Sequence, residues 1–318
     1  MTRPAPYRRP EPGGRAASRR GLLALGGALA LAAAACSNRD PFAQEAGAAL
    51  PGQAIVVGSQ QYYSNEIIAE LYAQALEAAG IEVQRQFQIG QREVYLPELE
   101  AGSIQVIPEY GGNLLQHYGG SDATAPDAQG VYSAVLEALP ASLTALNPAP
   151  ATDQDTLTVT RATAAEHSLS TIGDLASLGR PVTIAANSEF NTRPYGPEGL
   201  KRVYGVESPV TPVEDSGGPL TVKALTDGTV DVADIYSSDP AIAANDLVAL
   251  EDPEGLVLPQ NVTPVVAATV PALAVTAINR VSALLTTEEL RALNARSTKE
   301  QLQAPVIARD WLASKGLG

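Results

Sequence analysis

The chain has a single cysteine, Cys36, so it has no second thiol with which to close an intrachain disulfide. Its folded part must be held together by a core alone. Histidine is almost as scarce, and His117 and His167 lie fifty residues apart without metal-ligand spacing. With no cysteine nucleophile beside a histidine base, no constellation for metal-assisted or nucleophilic catalysis is present, and neither enzymatic activity nor a cofactor is expected. An apolar stretch near the start, residues 21–35, is too short and too rich in Ala and Gly to span a bilayer. Basic residues are few: 21 Lys and Arg stand against 35 Asp and Glu. Six of those basic residues (Arg3, Arg8, Arg9, Arg15, Arg19, Arg20) and one acid, Glu11, precede Cys36, so the rest of the chain carries 15 basic and 34 acidic side chains, net −19. Such a surface repels nucleic acid and anionic lipid, which argues against both as partners.

The first residues form an address. Arg8, Arg9, Arg19 and Arg20 precede the apolar run, which ends in Ala33-Ala34-Ala35-Cys36-Ser37, small residues directly before the lone cysteine. This is the pattern of a lipoprotein signal, residues 1–35, in which Cys36 becomes the lipidated N-terminus and ties the chain to the membrane by lipid alone. A secretory peptide cleaved near the same Ala run is the alternative, and both place the protein outside the cytoplasm. Ser18-Arg19-Arg20-Gly21-Leu22-Leu23 also resembles a twin-arginine export signal. Residues 36–53, with Pro41 and Pro51 and no periodicity, read as a tether.

From Ala54 the pattern is α/β. Ile55–Gly58 is a short buried strand, apolar residues at helical spacing follow until Gly80, Ile81–Phe87 alternates as a second strand, and a helix over Glu93–Ala101 leads to a third strand that is expected to stop at Pro108. Strand and helix in turn, with short connections, make a parallel sheet covered by helices. A Pro-rich passage through Pro148 and Pro150 marks a crossing into a second series: the strand Thr156–Thr160, Pro181–Ala186, a helix at Pro197–Tyr204, the helix Thr221–Thr226 and the strand Asp231–Tyr236. Beyond Pro259 come the strand Thr263–Val270 and helices at Ala272–Leu285, Thr287–Ala295 and Ala304–Ser314, which return the chain to its first half. The resulting division is a first lobe from 54–155 and 261–318 and a second from 156–260. Gly217-Gly218 before a helix is no phosphate cradle, because Pro219 removes an amide and no Lys follows at phosphate-loop spacing.

Four blocks in order carry a resemblance. They are Val57-Gly58-Ser59 with Tyr62 and the helix Glu66–Ala73; Leu99-Glu100-Ala101-Gly102 leading to Ile107-Pro108-Glu109-Tyr110-Gly111-Gly112-Asn113; Asn187-Ser188-Glu189-Phe190-Asn191-Thr192-Arg193-Pro194; and Gly217–Leu225 continuing to Asp234-Ile235-Tyr236-Ser237-Ser238-Asp239-Pro240. From about Ile55 to its end the chain resembles the osmoprotectant-binding proteins of ABC importers, which take glycine betaine, choline or carnitine. The resemblance implies a two-lobed type II periplasmic-binding-protein fold with two hinge crossings and a solute enclosed between the lobes. It also implies a monomer that hands a small quaternary amine to an ABC permease and its ATPase.

A trimethylammonium group offers no N–H to a hydrogen-bond acceptor and spreads its charge over methyl groups, so it is best held by aromatic faces. Eleven Tyr against three Phe and one Trp make tyrosine the natural wall. The family blocks put Tyr62, Tyr110 and Tyr236 at strand ends facing the cleft, where open α/β sheets bind ligands; ordinary core packing is the competing use of each. Tyr63 extends the cage or seals its entrance, and Asn187 sits in the third block. Phe190 supplies a wall and Arg193 a fork for a carboxylate, the latter favouring glycine betaine over choline, unless Arg193 forms a structural salt bridge instead. Glu109 balances the ammonium or caps the hinge. Tyr195 and Gly111 depart from the family pattern, and Ser64 and Asn65 stand where it is acidic. An amino acid or other amine as ligand, or a sensing lipoprotein of the same fold, stay open as alternatives.

Overall fold

Short β-branched runs alternate with longer periodic ones from Ile55 onward, and the computed structural model shows strands and helices in that order. It describes residues 54–318; the apolar leader, Cys36 and the expected tether lie outside the described residues. The first segment runs β1 (Ile55–Gly58), α1 (Tyr63–Ala78), β2 (Val83–Gln86), α2 (Arg92–Glu100), β3 (Val106–Tyr110), α3 (Gly111–Gly119), α4 (Ala128–Ala138) and β4 (Leu143–Ala145). The second runs β5 (Asp155–Thr160), α5 (Arg161–His167), β6 (Ile184–Ala186), α6 (Pro197–Tyr204), β7 (Val210–Pro212), α7 (Pro219–Thr226), β8 (Val232–Tyr236), α8 (Ala241–Ala244) and β9 (Leu247–Ala249), with 3-10 turns at Ile172–Leu178 and Ser188–Thr192. The chain then returns as β10 (Val262–Ala267), α9 (Ala272–Leu284), α10 (Thr287–Thr298) and α11 (Ala304–Ser314).

Two five-stranded mixed sheets result, ordered β2-β1-β3-β10-β4 and β7-β6-β8-β5-β9. In each, the strand that arrives from the other half, β10 or β5, runs antiparallel to its neighbours. Every residue of β1, β3 and β10 is buried, as a strand covered on both faces requires.

The third strand does not stop at Pro108 but runs on to Tyr110. Its pairing with β1 involves only Val106, and Pro108 lies directly opposite Pro264 of β10. Two prolines facing each other at a position where neither N–H is needed leave the ladder whole. That extension carries Glu109 and Tyr110 to the strand's end.

The first lobe owes its core to α1, whose apolar residues face both the sheet and the returning helices: Ile67, Ile68, Leu71, Tyr72 and Leu76 are all within 1% of full burial and pack with Ile278, Leu290, Ile307 and Trp311. Return of the chain is therefore a packing necessity, because α1 would otherwise expose a second apolar face. The Trp311 indole N–H, buried with that helix, finds Oε2 of Glu289 at 2.6 Å.

The two crossings lie side by side. Thr152 bridges Asn261 in antiparallel fashion, the Ala149 amide donates to the Val262 carbonyl at 2.8 Å, and the Asp153 amide donates to the Gln260 carbonyl at 3.2 Å. The link between sheets is thus a narrow two-stranded ribbon, the geometry of a hinge. All described residues nonetheless fall in one compact unit, because further side-chain bonds join the halves beside the ribbon.

Candidate ligand-binding cleft

Parallel strands end where the two sheets face each other, and the residues just beyond those ends line a cleft with about 470 Å³ of open space, its mouth included. From the first half come Gln60 and Tyr62 after β1, Gln91 and Arg92 after β2, Tyr110 at the end of β3 and Asn113 in α3. The second half supplies Asn187, Glu189, Phe190, Arg193 and Tyr195 after β6, and Asp234 and Tyr236 from β8; Asp153 and Asp155 enter from the first crossing.

Of the eight binding residues expected from sequence, six line this cleft: Tyr62, Tyr110, Asn187, Phe190, Arg193 and Tyr236. Tyr62 and Tyr110 stack at 24° with ring centroids 6.3 Å apart, and Tyr62 meets Tyr236 from the other half at 5.1 Å and 55°. Their placement is fixed from behind. Asn65, fully buried in α1, accepts from the Gln60 amide at 2.9 Å and donates to the Pro108 carbonyl at 3.1 Å and to the Tyr110 hydroxyl at 3.3 Å. Burial raises the pKa of all three phenols well above its usual value, so they stay neutral.

Two of the eight lie elsewhere. Glu109 is wholly buried behind the cleft, and its carboxylate is taken up by Arg92 Nε at 2.9 Å, Arg92 Nη2 at 2.8 Å, the Tyr95 hydroxyl at 2.5 Å and the Tyr110 amide at 3.0 Å. No oxygen of it is left for a solute; its work is to hold Arg92. Tyr63 turns away, because α1 starts at this residue and points successive side chains about 100° apart. Its hydroxyl donates to Asp239 Oδ2 at 2.7 Å, beside a separate surface groove.

Arg193 lines the cleft and also reaches across it, its Nη1 2.8 Å from Glu93 Oε1 in α2. Asn187 is held by its neighbours: its Nδ2 donates to Glu189 Oε1 at 3.1 Å and Ser216 Oγ at 3.0 Å, and its Oδ1 accepts from the Ser216 amide. Phe190 meets Tyr195 edge to face at 5.9 Å, which is what a tyrosine does at this departure from the family pattern.

Sequence reasoning missed the acids. The register of β5 and β8 sets Asp155 opposite Tyr236 and Leu157 opposite Asp234, so Asp155, Tyr236 and Asp234 share one face, with the two aspartates diagonal neighbours. Burial, and for Asp234 the repulsion of Asp155, raise both above the usual carboxylate range. Asp153, accepting from Ser64 Oγ at 3.1 Å and the Ser238 amide at 3.2 Å, is pushed up to about 6 by burial. Asn113 links hinge and site: it exchanges two bonds with the fully buried Gln260 at 3.1 and 2.9 Å and reaches Asp155 Oδ2 at 3.4 Å. The sequence signals were the pair Asp153 and Asp155 at the Pro-rich crossing, Glu189 inside the third block, and Asp234 two places before Tyr236 in the fourth. Among the described residues no group of His, Cys, Asp and Glu has the arrangement of a metal site, and no helix is long and apolar enough to cross a membrane.

Two mixed sheets, a paired crossing and a polar, tyrosine-lined seam define the class: a two-lobed solute-binding protein, which captures rather than transforms its ligand. Comparisons with known proteins narrow it. A family model described as the substrate binding domain of ABC-type glycine betaine transport system matches residues 53–314, and the chain belongs to that family. It is 29% identical over 289 residues to the glycine betaine-binding protein YehZ of Escherichia coli, covering 85% of this chain and 94% of that protein. The apo structure of the E. coli protein superposes with a TM-score of 0.62 at 27% identity, over 84% of this chain and 100% of that one. A crystal structure described as a glycine betaine/carnitine/choline ABC transporter reaches a TM-score of 0.67 at 23% identity, over 83% and 99% respectively.

Proposed function

We propose that this protein captures a quaternary-ammonium osmoprotectant, glycine betaine, choline or a similar solute, against the tyrosines of the cleft and delivers it to an ABC permease and its ATPase. The carrying observation is the cluster of Tyr62, Tyr110 and Tyr236, drawn from both halves of the chain and meeting at the seam with centroids 5.1 to 6.3 Å apart. Rings at these separations touch each other, so the ammonium group sits over their cleft-facing sides rather than between them. Phe190 and Asn187 offer a further wall and an amide from the second half. In this reading the protein is exported, is a monomer, and is held at the membrane by lipid on Cys36, which keeps the captured solute near the permease.

The test is calorimetric titration of the chain lacking residues 1–36 with glycine betaine, choline, carnitine and amino-acid controls. A quaternary amine is expected to bind and the amino acids not. Tyr110→Leu, which stays apolar but removes the π face, should weaken binding by about 2- to 30-fold, and Tyr110→Phe much less, as the roughly 0.5–2 kcal/mol of a cation–π contact implies. Binding of an amino acid alone, or equal losses from Leu and Phe, sinks the tyrosine reading. Mass spectrometry of the membrane-extracted protein tests the lipid on Cys36.

A further inference from the structure

Charge in the cleft is unbalanced in a way that bears on which quaternary amine it takes. Two arginines line it, and each is already matched by a glutamate that does not: Arg92 by Glu109 through two nitrogens at 2.9 and 2.8 Å, and Arg193 by Glu93 at 2.8 Å. Four acids line it, and their recorded partners among the described residues are neutral donors. Asp153 takes Ser64 and the Ser238 amide, Asp155 takes Asn113, and Glu189 takes Asn187. Asp234 is 7% exposed, and its Oδ1 is buried with no partner at all. Buried carboxylates without countercharge are costly, and a site in this condition favours either protons or a cation.

Asp155 and Asp234 are diagonal neighbours on one face of the second sheet, and both line the cleft beside Tyr236. Two carboxyl groups on neighbouring strand positions in a closed cleft, with no basic side chain paired to either among the described residues, repel each other when both are ionised, so one of them holds a proton. The pair therefore acts as a single proton-holding unit, and its charge depends on whether that proton is present.

Resting on the quaternary-ammonium reading, we infer that the Asp155–Asp234 pair determines specificity by exchanging its shared proton for the ligand's positive charge, so that the cleft prefers a net cation such as choline to a zwitterion such as glycine betaine. One proton leaves the pair for solvent as one cation enters, and the charge of the site is unchanged. A zwitterion brings its own carboxylate, gives the pair no net charge to exchange for, and meets arginines already engaged by Glu93 and Glu109. The charged and titratable groups facing the pair are Asp153 and Glu189, which favour a cation further; Arg193 and Arg92, which oppose it but are paired; and Tyr195 and Tyr236, which burial keeps neutral. Desolvation, and for Asp234 also the repulsion of Asp155, raise both carboxyls above their usual range.

The experiment is titration calorimetry of the chain lacking residues 1–36, which contains every described residue, with choline and with glycine betaine from pH 6 to 8.5. Each titration is run in phosphate and in Tris, whose different ionisation enthalpies reveal protons released. Choline is expected to release up to about one proton per site and to bind more tightly as pH rises, by at most tenfold per pH unit for a one-proton exchange; glycine betaine should release less and bind more weakly. Asp234→Asn should abolish the release and cut the choline preference by tenfold or more, with Asp155→Asn as the second variant. If a variant does not fold, the buffer dependence of the unaltered protein decides. Equal affinity for the two solutes with no proton release overturns the inference while the osmoprotectant reading stands. Failure of both solutes to bind overturns both.

Discussion

Tyr63, the first residue of α1, donates its hydroxyl to Oδ2 of Asp239, which follows β8 in the other half of the molecule, at 2.7 Å. Residues adjacent in sequence therefore serve different ends: Tyr62 faces the cleft, and Tyr63 ties the halves together. Nearby, Asn294 of α10 donates to Ser238 Oγ at 2.8 Å and Arg291 of the same helix to the Ser237 carbonyl at 3.3 Å, so Tyr63 is not alone in tying this side of the seam.

Tyr63→Phe is expected to leave the fold intact and to weaken every solute alike, roughly fivefold for the loss of about 1 kcal/mol of inter-lobe hydrogen bonding. Titration of choline and glycine betaine against the variant checks this; a loss confined to one solute would place the hydroxyl on the ligand instead.

Glu109→Gln should be among the most damaging single changes. It leaves the buried Arg92 guanidinium without its counter-ion, a situation that costs about 3–5 kcal/mol. At roughly 2–4 °C per kcal/mol for a chain of this size, the melting temperature in differential scanning calorimetry should fall by roughly 6–20 °C.

Asp153 gives stability a pH dependence of a definite sign. Its carboxyl titrates at about 6 in the folded protein against 3.8 ordinarily, so the native state binds the proton more tightly than the unfolded chain does. The stabilisation is complete below pH 3.8 and is lost as pH rises through 6; by 1.36 kcal/mol per pKa unit it is on the order of 3 kcal/mol. Urea midpoints measured without ligand should carry this contribution in the wild type, and Asp153→Asn should remove it, so the wild type loses stability relative to the variant as pH rises from 3.8 through 6. A difference that stays flat with pH would refute the assignment.

Gly196→Ala should disable the wall of the second half without touching the first. A Cβ at Gly196 would lie 2.0 Å from the Phe190 carbonyl oxygen and 3.0 Å from that of Arg193, so the turn that presents Phe190, Arg193 and Tyr195 would have to open. Binding should be lost or weakened at least tenfold while the first lobe's core stays native, which near-UV circular dichroism of Trp311 in that core would report.

Much of this molecule is legible in one dimension because its signals are local. The apolar run that marks β1 and the period-3.6 patterns that mark α1, α6, α9 and α11 need only neighbours in sequence, and so does the clash that makes glycine end a helix at Gly205 with φ +70°. The strand over Val106–Tyr110 shows the limit: proline is a strand breaker by local rules, and only the facing Pro264, more than 150 residues away, makes Pro108 harmless. The three-residue strands β4, β7 and β9 carry too few side chains for a period to show.

The candidate site divides along the same line. Tyrosine's abundance and its position at strand ends are sequence properties, and they bring Tyr62, Tyr110 and Tyr236 to notice. Which way a side chain points at a helix start is decided by the helix, and so Tyr63 and Tyr62 part company. Sequence alone determined the alternation of elements, the lack of a second cysteine for a disulfide, and the acidity of the chain. Only the tertiary structure decided where that acidity acts, because pairing Arg92 with Glu109 and Arg193 with Glu93 and leaving Asp155 beside Asp234 depends on contacts between residues far apart in the chain.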